Sequence, residues 1–138
     1  MGLMLDSTVL IHAERNRFTP VQLLEDLVER YGDVHLSLSV MSAGELFHGC
    51  WRADGPRRRA EREEFVESIL AAVPAIPITL PVMRIFGEID AGTRAKGIPL
   101  PTSDLLIACT ALSRGDEIAT ENRRHYDRVP GLKVRDYP

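Results

Sequence analysis

The sequence is short of the residues on which several classes of protein depend. It has two cysteines, Cys50 and Cys109, which are too few for a disulfide framework or a four-cysteine zinc site. Their apolar surroundings predict reduced, buried thiols. Aromatic residues make up 6% of the chain, so the core must be built mainly from aliphatic side chains. Neither a GxxxxGK[ST] nor a GxGxxG motif occurs, which argues against nucleotide binding by either phosphate-binding loop.

Long apolar runs and an excess of basic residues are also absent. The longest near-apolar segment, residues 69–83, contains three prolines and is shorter than the roughly 20 residues of a membrane span. No basic segment precedes Asp6, which interrupts the first apolar run, so we expect no signal peptide, no membrane contact and a cytoplasmic protein. Seventeen basic and 20 acidic side chains give a net charge of −3. This balance argues against nonspecific coating of nucleic acid, but it is compatible with a nuclease whose own site is acidic.

Strand-like apolar runs alternate with helical patterns along the 138 residues. We predict strands at 3–5, 34–38, 76–79, 117–120 and 132–134, and helices at 7–15, 20–31, 39–52, 57–72, 81–96 and 101–115. This alternation predicts one α/β domain with three layers and a mainly parallel central sheet. In such sheets the ligand crevice lies beyond the carboxyl ends of the strands.

Two acidic residues stand near predicted strand ends. Asp6 directly follows the first strand, where a helix N-cap is the simplest alternative role for an aspartate. Glu45 lies in the helix after the second strand, and Ser42 to Glu45 matches the capping box S-x-x-E. If that helix begins at Ser39, however, Glu45 lies about two turns inside it, where it cannot cap.

Asp104 lies in the first turn of a helix that is apolar nearly all round and should therefore be buried. A helix N-terminus favours a carboxylate, but Thr102 or Ser103 could supply the cap without it. No Lys or Arg lies nearby in the sequence. A buried acid without a basic partner needs a metal ion or a shifted pKa, so we favour a functional role for Asp104.

Further polar side chains follow the fourth predicted strand at Thr120, Glu121 and Asn122, where capping of a short helix is the alternative role. Clustered carboxylates repel one another unless a cation neutralises them. Oxygen ligands without a Cys/His pattern favour Mg²⁺ or Mn²⁺. One or two such ions could activate water for attack on a phosphodiester.

Four segments in this order resemble the PIN-domain ribonucleases, and within them the VapC-type toxins of bacterial toxin–antitoxin pairs. The segments are LDSTVLI at 5–11, SVMSAGEL at 39–46, DLLIA at 104–108, and ATEN at 119–122 followed by HY at 125–126 and VPGL at 129–132. The resemblance covers nearly the whole chain. It implies a single PIN-like domain over residues 1–138 with an α/β/α fold, and a Mg²⁺-dependent endoribonuclease that acts as the toxin.

The resemblance also implies roles for individual residues. Asp6, Glu45 and Asp104 become the acids of the site, with Asp6 and Asp104 as the main ligands of Mg²⁺ or Mn²⁺. The fourth catalytic position falls on Asn122, where many members of the family carry an aspartate. Glu121 and Asp127 are the alternatives for that position.

Contacts around the acids, and with substrate, are expected from Ser7, Thr120, Glu121 and Arg123. The implied partners are an RNA substrate, a cognate antitoxin protein and a second copy of the chain in a homodimer. The alternative is a non-catalytic PIN-like module that binds RNA or protein. A receiver domain is a weaker hypothesis, because neither paired acids near the first strand nor a lysine after a late central strand is evident.

Overall fold

The computed structural model describes residues 2–138, and its strands form one fully parallel sheet. The strands are β1 Gly2–Leu5, β2 His35–Ser39, β3 Ala75–Ile76, β4 Glu117–Thr120 and β5 Val134–Asp136. Their order is β3-β2-β1-β4-β5, and each neighbouring pair is parallel. Parallel neighbours need crossover connections, which explains why at least one helix lies between every two successive strands.

Helices cover both faces of the sheet. They are α1 Ser7–Arg15, α2 Pro20–Tyr31, α3 Val40–Trp51, α4 Pro56–Ala72, α5 Leu80–Ala95, α6 Thr102–Arg114 and α7 Arg123–Tyr126. Leu3 and Leu5 of β1 join the core beneath α1 to α4, whereas Met4 joins the core beneath α5 to α7, as the alternation of a strand requires. The three-layer α/β fold with a parallel sheet is therefore confirmed. None of the helices between residues 2 and 138 is long and apolar enough to cross a membrane.

Local sequence signals explain most helix boundaries. Ser39 caps α3 by accepting a hydrogen bond from the Met41 N–H at 3.1 Å. Gly115 ends α6 with φ of 70°, a left-handed conformation that glycine adopts without strain. Cys50 and Cys109 are buried free thiols, also as predicted.

Several boundaries differ from the sequence-based predictions. Strand β2 begins and ends one residue later than predicted, and β3 ends at Ile76, because Pro77 has no N–H to continue the ladder. The last strand is Val134–Asp136 rather than 132–134, because this edge strand pairs through exposed polar residues that have no apolar pattern. Helix α6 begins at Thr102 with Pro101 as its N-cap, and neither Thr102 nor Ser103 supplies a side-chain cap.

The strand order places a crevice between β1 and β4. From β1 the chain crosses to β2 and β3 on one side and only later returns to form β4 on the other. The carboxyl ends of two strands that lie on opposite sides of such a switch point leave an opening between their loops. Asp6 follows β1 and Thr120 ends β4, so both lie at this opening.

Candidate active site

The Asp6 carboxylate is buried and held by three hydroxyl groups. Thr8 Oγ1 and Thr120 Oγ1 each donate to Asp6 Oδ2 at 2.8 Å, and the Tyr126 hydroxyl donates to Asp6 Oδ1 at 2.9 Å. Asp6 occupies the N-cap position of α1, but its side chain makes no capping hydrogen bond. The simpler role of a helix cap therefore does not explain this residue.

Glu45 projects from the second turn of α3 toward the start of α1. Its Oε1 accepts a hydrogen bond from Ser7 Oγ at 3.2 Å. The capping-box interpretation fails, because α3 begins at Val40 and the side chain is directed to another element. Burial raises the pKa of Glu45, and the nearby charges of Asp6 and Asp104 raise it further, whereas the Ser7 hydrogen bond lowers it.

Asp104 lies in the first turn of α6, where His125 contacts it. His125 Nδ1 is 2.8 Å from Asp104 Oδ2. Burial and the charge of Asp6 raise the pKa of Asp104, whereas contacts with His125 and Tyr126 oppose that rise. Asp104 is thus close enough to Asp6 for their charges to interact.

The three predicted acids are brought together around Tyr126. Burial raises the pKa of the Tyr126 hydroxyl, and the negative charges of Asp6, Asp104 and Glu45 raise it further. Across residues 2–138, no Arg or Lys forms an ion pair with any of the three carboxyl groups. The crevice therefore holds negative charge that hydroxyl groups and one histidine offset only in part.

The donor set fits a hard divalent cation. Carboxylate oxygens are the ligands that Mg²⁺ prefers, and Mg²⁺ usually binds through one or two protein carboxylates while keeping several water molecules. Within the described part of the chain, no three His, Cys, Asp or Glu side chains are placed to hold one ion together. A site with two protein carboxylates, such as Asp6 and Asp104, agrees with this preference of Mg²⁺ and with the absence of a three-residue cluster among residues 2–138.

The residues predicted around the acids have different environments. Ser7 and Thr120 contact Glu45 and Asp6, as described above. Glu121 Oε1 instead lies 3.2 Å from His12 Nδ1. Asn122 is exposed at the N-terminus of α7, and its backbone N–H donates to Thr120 Oγ1 at 2.9 Å.

The Arg123 guanidinium is held by protein groups on the edge of the sheet. It contacts Asp136 Oδ1 at 2.9 Å, the Val134 carbonyl oxygen at 2.9 Å and Asp127 Oδ1 at 3.2 Å. These contacts fix α7 against β5. They also direct Asp127 toward Arg123 rather than toward the acid cluster.

Thr8, His125 and Tyr126 also contact the acids, although the sequence did not predict these contacts. Thr8 follows Asp6 by two residues, a spacing at which a short hydroxyl side chain can reach back to the carboxylate. His125 and Tyr126 belong to the last segment of the resemblance, but only the orientation of α7 shows that they contact Asp104 and Asp6.

Comparison with known proteins identifies the family of the chain. The PIN domain model matches residues 3–132, and the chain belongs to the PIN-domain family. Ribonuclease VapC1 of Rickettsia felis is 27% identical over 134 residues, covering 97% of this chain and 95% of that protein. The tRNA(fMet)-specific endonuclease VapC of Salmonella typhimurium is 26% identical over 139 residues, covering 99% of this chain and 98% of that protein. These relatives confirm the resemblance to VapC-type toxins.

Solved structures show the same fold. VapBC2 from Rickettsia felis, bound to a DNA fragment from its promoter, contains a chain with a TM-score of 0.86 at 20% identity, and the match covers 100% of both chains. DNA-bound VapBC from Salmonella typhimurium matches with a TM-score of 0.81 at 25% identity, covering 99% of this chain and 98% of that one. The PIN-like fold is therefore confirmed over the length of the chain.

Proposed function

We propose that this protein is a VapC-type toxin that hydrolyses RNA phosphodiester bonds with the help of Mg²⁺. One observation carries the proposal. Asp6, Glu45 and Asp104 come from three separate elements to one crevice without a Lys or Arg counter-charge within residues 2–138. The kinship with VapC ribonucleases supports RNA as the substrate. Residues 1–138 then form one PIN-like domain.

Asp6 and Asp104 would hold the cation, either Mg²⁺ or Mn²⁺. When bound, that cation would activate a water molecule and offset the charge that develops on the phosphate. Asp6 is the more rigid of the two ligands, because three hydroxyl groups fix its oxygens. Asp104 is half-buried at the N-terminus of α6, where the helix dipole favours its negative charge.

Glu45 is suited to accept a proton from the attacking water. Its raised pKa makes it a stronger base than an ordinary carboxylate, and its Ser7 contact leaves the second oxygen, Oε2, for another partner. We assign the fourth catalytic position to Asn122, whose side-chain amide can both accept and donate hydrogen bonds without adding charge. Glu121 and Asp127 remain the alternatives, but their present contacts are with His12 and Arg123.

Basic side chains on α7 and after it are suited to contact the RNA backbone. Arg124 and Arg128 are exposed, and Arg123 is exposed as well although it contacts β5. Guanidinium groups bind phosphate oxygens in pairs of hydrogen bonds, which positions a strand without reading its sequence. Cleavage in this arrangement would leave a 5′-phosphate and a 3′-hydroxyl.

A protein antitoxin and a second copy of the chain are the proposed protein partners. The related Salmonella typhimurium structure is a VapBC complex, which supports an antitoxin partner. Trp51 is 70% exposed, and the Arg59 guanidinium lies 4.6 Å from the centre of its ring. An exposed tryptophan held against an arginine is the kind of side chain that anchors protein interfaces, so it supports a dimer or antitoxin contact. A cytoplasmic location follows from this role.

A non-catalytic PIN-like module is the second candidate, and the uncharged Asn122 favours it. An RNA cleavage assay distinguishes the two candidates. We expect the purified protein to cleave single-stranded or structured RNA with Mg²⁺ or Mn²⁺, to stop in EDTA, and to recover when excess Mg²⁺ is added. Absence of cleavage with either ion would favour the non-catalytic module.

The Asp104→Asn variant assigns the activity to this site. We expect cleavage to fall by at least about tenfold, since loss of a ligand should cost no less activity than loss of a residue that only supports a ligand. Asp90→Asn is the matched control, because Asp90 lies on α5 and pairs with Arg94 at 3.0 Å. The control should cleave at the wild-type rate. Cleavage by Asp104→Asn at the wild-type rate, or by wild type in EDTA, would contradict the proposal.

A further inference from the structure

Tyr126 is a fully buried tyrosine whose hydroxyl group lies among the acids of the site. It closes the four-residue helix α7, and its ring packs in the core beneath α5 and α6. Its hydroxyl donates to Asp6 Oδ1 at 2.9 Å. A phenol carries one proton, so it can donate fully to only one acceptor at a time.

The hydroxyl contacts of Asp6 determine where this residue can bind a cation. A carboxylate has about four acceptor sites, two on each oxygen. Thr8 and Thr120 occupy both sites of Oδ2. Tyr126 occupies one site of Oδ1, so the second acceptor site of Oδ1 has no donor from residues 2–138.

Asp104 is the other proposed ligand of the cation, and helix α7 contacts it as well. His125, the residue before Tyr126, contacts Asp104 Oδ2. Helix α7 therefore fixes both carboxylates through two consecutive side chains.

We propose that Tyr126 is a positioning residue that holds Asp6 Oδ1, beside Asp104, in the orientation in which the two carboxylates bind a divalent cation. This inference rests on the proposed function. It assigns to a tyrosine, which is not itself a ligand, a large share of the metal affinity of the site. Supporting residues of this kind typically change metal affinity by about 10- to 100-fold.

Titration of the apoprotein with Mn²⁺, followed by calorimetry or by the electron paramagnetic resonance of free Mn²⁺, tests the role of Tyr126 without any cleavage assay. We expect Tyr126→Phe to weaken Mn²⁺ binding by about tenfold or more. Tyr137→Phe is the matched control, because Tyr137 is equally buried and donates to Asp26 Oδ2 at 2.7 Å, away from the acids. The control should bind Mn²⁺ as wild type does.

Two results would overturn the inference, and they differ in what else they overturn. If wild type binds Mn²⁺ and the affinity of Tyr126→Phe for Mn²⁺ is within a factor of two of the wild-type affinity, only the positioning role of Tyr126 is refuted. If wild type does not bind Mn²⁺ at millimolar concentration, the proposed function fails as well. Thermal melts in EDTA check that each variant is folded.

A second measurement does not require Tyr126→Phe to fold. The chain has three tyrosines, so the double variant Tyr31→Phe/Tyr137→Phe keeps Tyr126 alone. Addition of Mg²⁺ should then produce a tyrosine difference spectrum in the near ultraviolet, because the acceptor of the Tyr126 hydroxyl binds the ion. Binding of Mg²⁺ without any such difference would overturn the inference.

Discussion

Replacement of Thr120 by valine removes one hydroxyl contact of the acid cluster with almost no change in shape. Thr120 is buried at the end of β4, where its hydroxyl donates to Asp6 Oδ2 at 2.8 Å and accepts from the Asn122 N–H at 2.9 Å. Valine keeps the β-branched form that suits a strand. The variant therefore isolates the hydrogen bonds of one hydroxyl group.

The expected loss of stability depends on the charge of the acceptor, Asp6, and on the hydrogen bonds that Asp6 keeps in the variant. A hydrogen bond to a charged group contributes about 1.5–3 kcal/mol to stability. Thr8 still donates to the same oxygen in the variant, so the carboxylate is not left without a partner. The Asn122 N–H lies on an exposed residue and can bind water instead. We expect Thr120→Val to lower the free energy of unfolding by about 1.5–3 kcal/mol.

Urea denaturation in EDTA measures this change without a contribution from bound metal. Thr110→Val is the control, because Thr110 is also buried and its hydroxyl donates to the neutral Leu106 carbonyl at 2.7 Å. The free energy of unfolding of the control should fall by only about 0.5–1.5 kcal/mol. If the free energy of unfolding of Thr120→Val lies within about 0.5 kcal/mol of the wild-type value, the Thr120 hydroxyl does not stabilise Asp6.

Three further predictions follow. Because the pKa of Glu45 is raised in the folded apoprotein, folding favours the protonated carboxyl group. The stability of wild type relative to Glu45→Gln should therefore fall as pH rises from about 4 through that raised pKa. Thermal melts in EDTA that show the opposite trend would refute the raised pKa of Glu45. Asn122→Asp should tighten Mn²⁺ binding by adding a fourth negative charge, and a calorimetric titration with unchanged affinity would place the fourth position elsewhere. Leu105→Ala should lower the free energy of unfolding by about 2–5 kcal/mol in urea denaturation, because Leu105 is fully buried in α6. A decrease of less than about 1 kcal/mol would contradict that packing.

The parts of the fold that could be predicted are those with a strong apolar pattern. Strand β4 lies at the predicted residues 117–120, and helix α1 at the predicted 7–15, because their apolar side chains face the core at the spacing of a strand and of a helix, respectively. Strand β5 was misplaced because Arg135 and Asp136 are exposed on the edge of the sheet. Only the ladder with β4, which pairs Thr120 with Asp136, determines its position.

The site could be predicted only as far as chain order determines it. Asp6 and Thr120 follow from the rule that parallel strands end at one edge, and this edge holds both. The contact between Tyr126 and Asp6 spans 120 residues and depends on the orientation of a four-residue helix, which is too short to show a helical period. Bonds from Arg123 to Asp136 and to the backbone of β5 set that orientation, and no local sequence signal encodes them.

Anomalous diffraction from crystals of the protein soaked in Mn²⁺ would locate the bound ion. We predict an anomalous peak in the crevice between β1 and β4, within coordination distance of carboxylate oxygens from both Asp6 and Asp104. Absence of that peak at saturating Mn²⁺, with Asp6 still bound only to Thr8, Thr120 and Tyr126, would contradict a metal-dependent nuclease site at these acids.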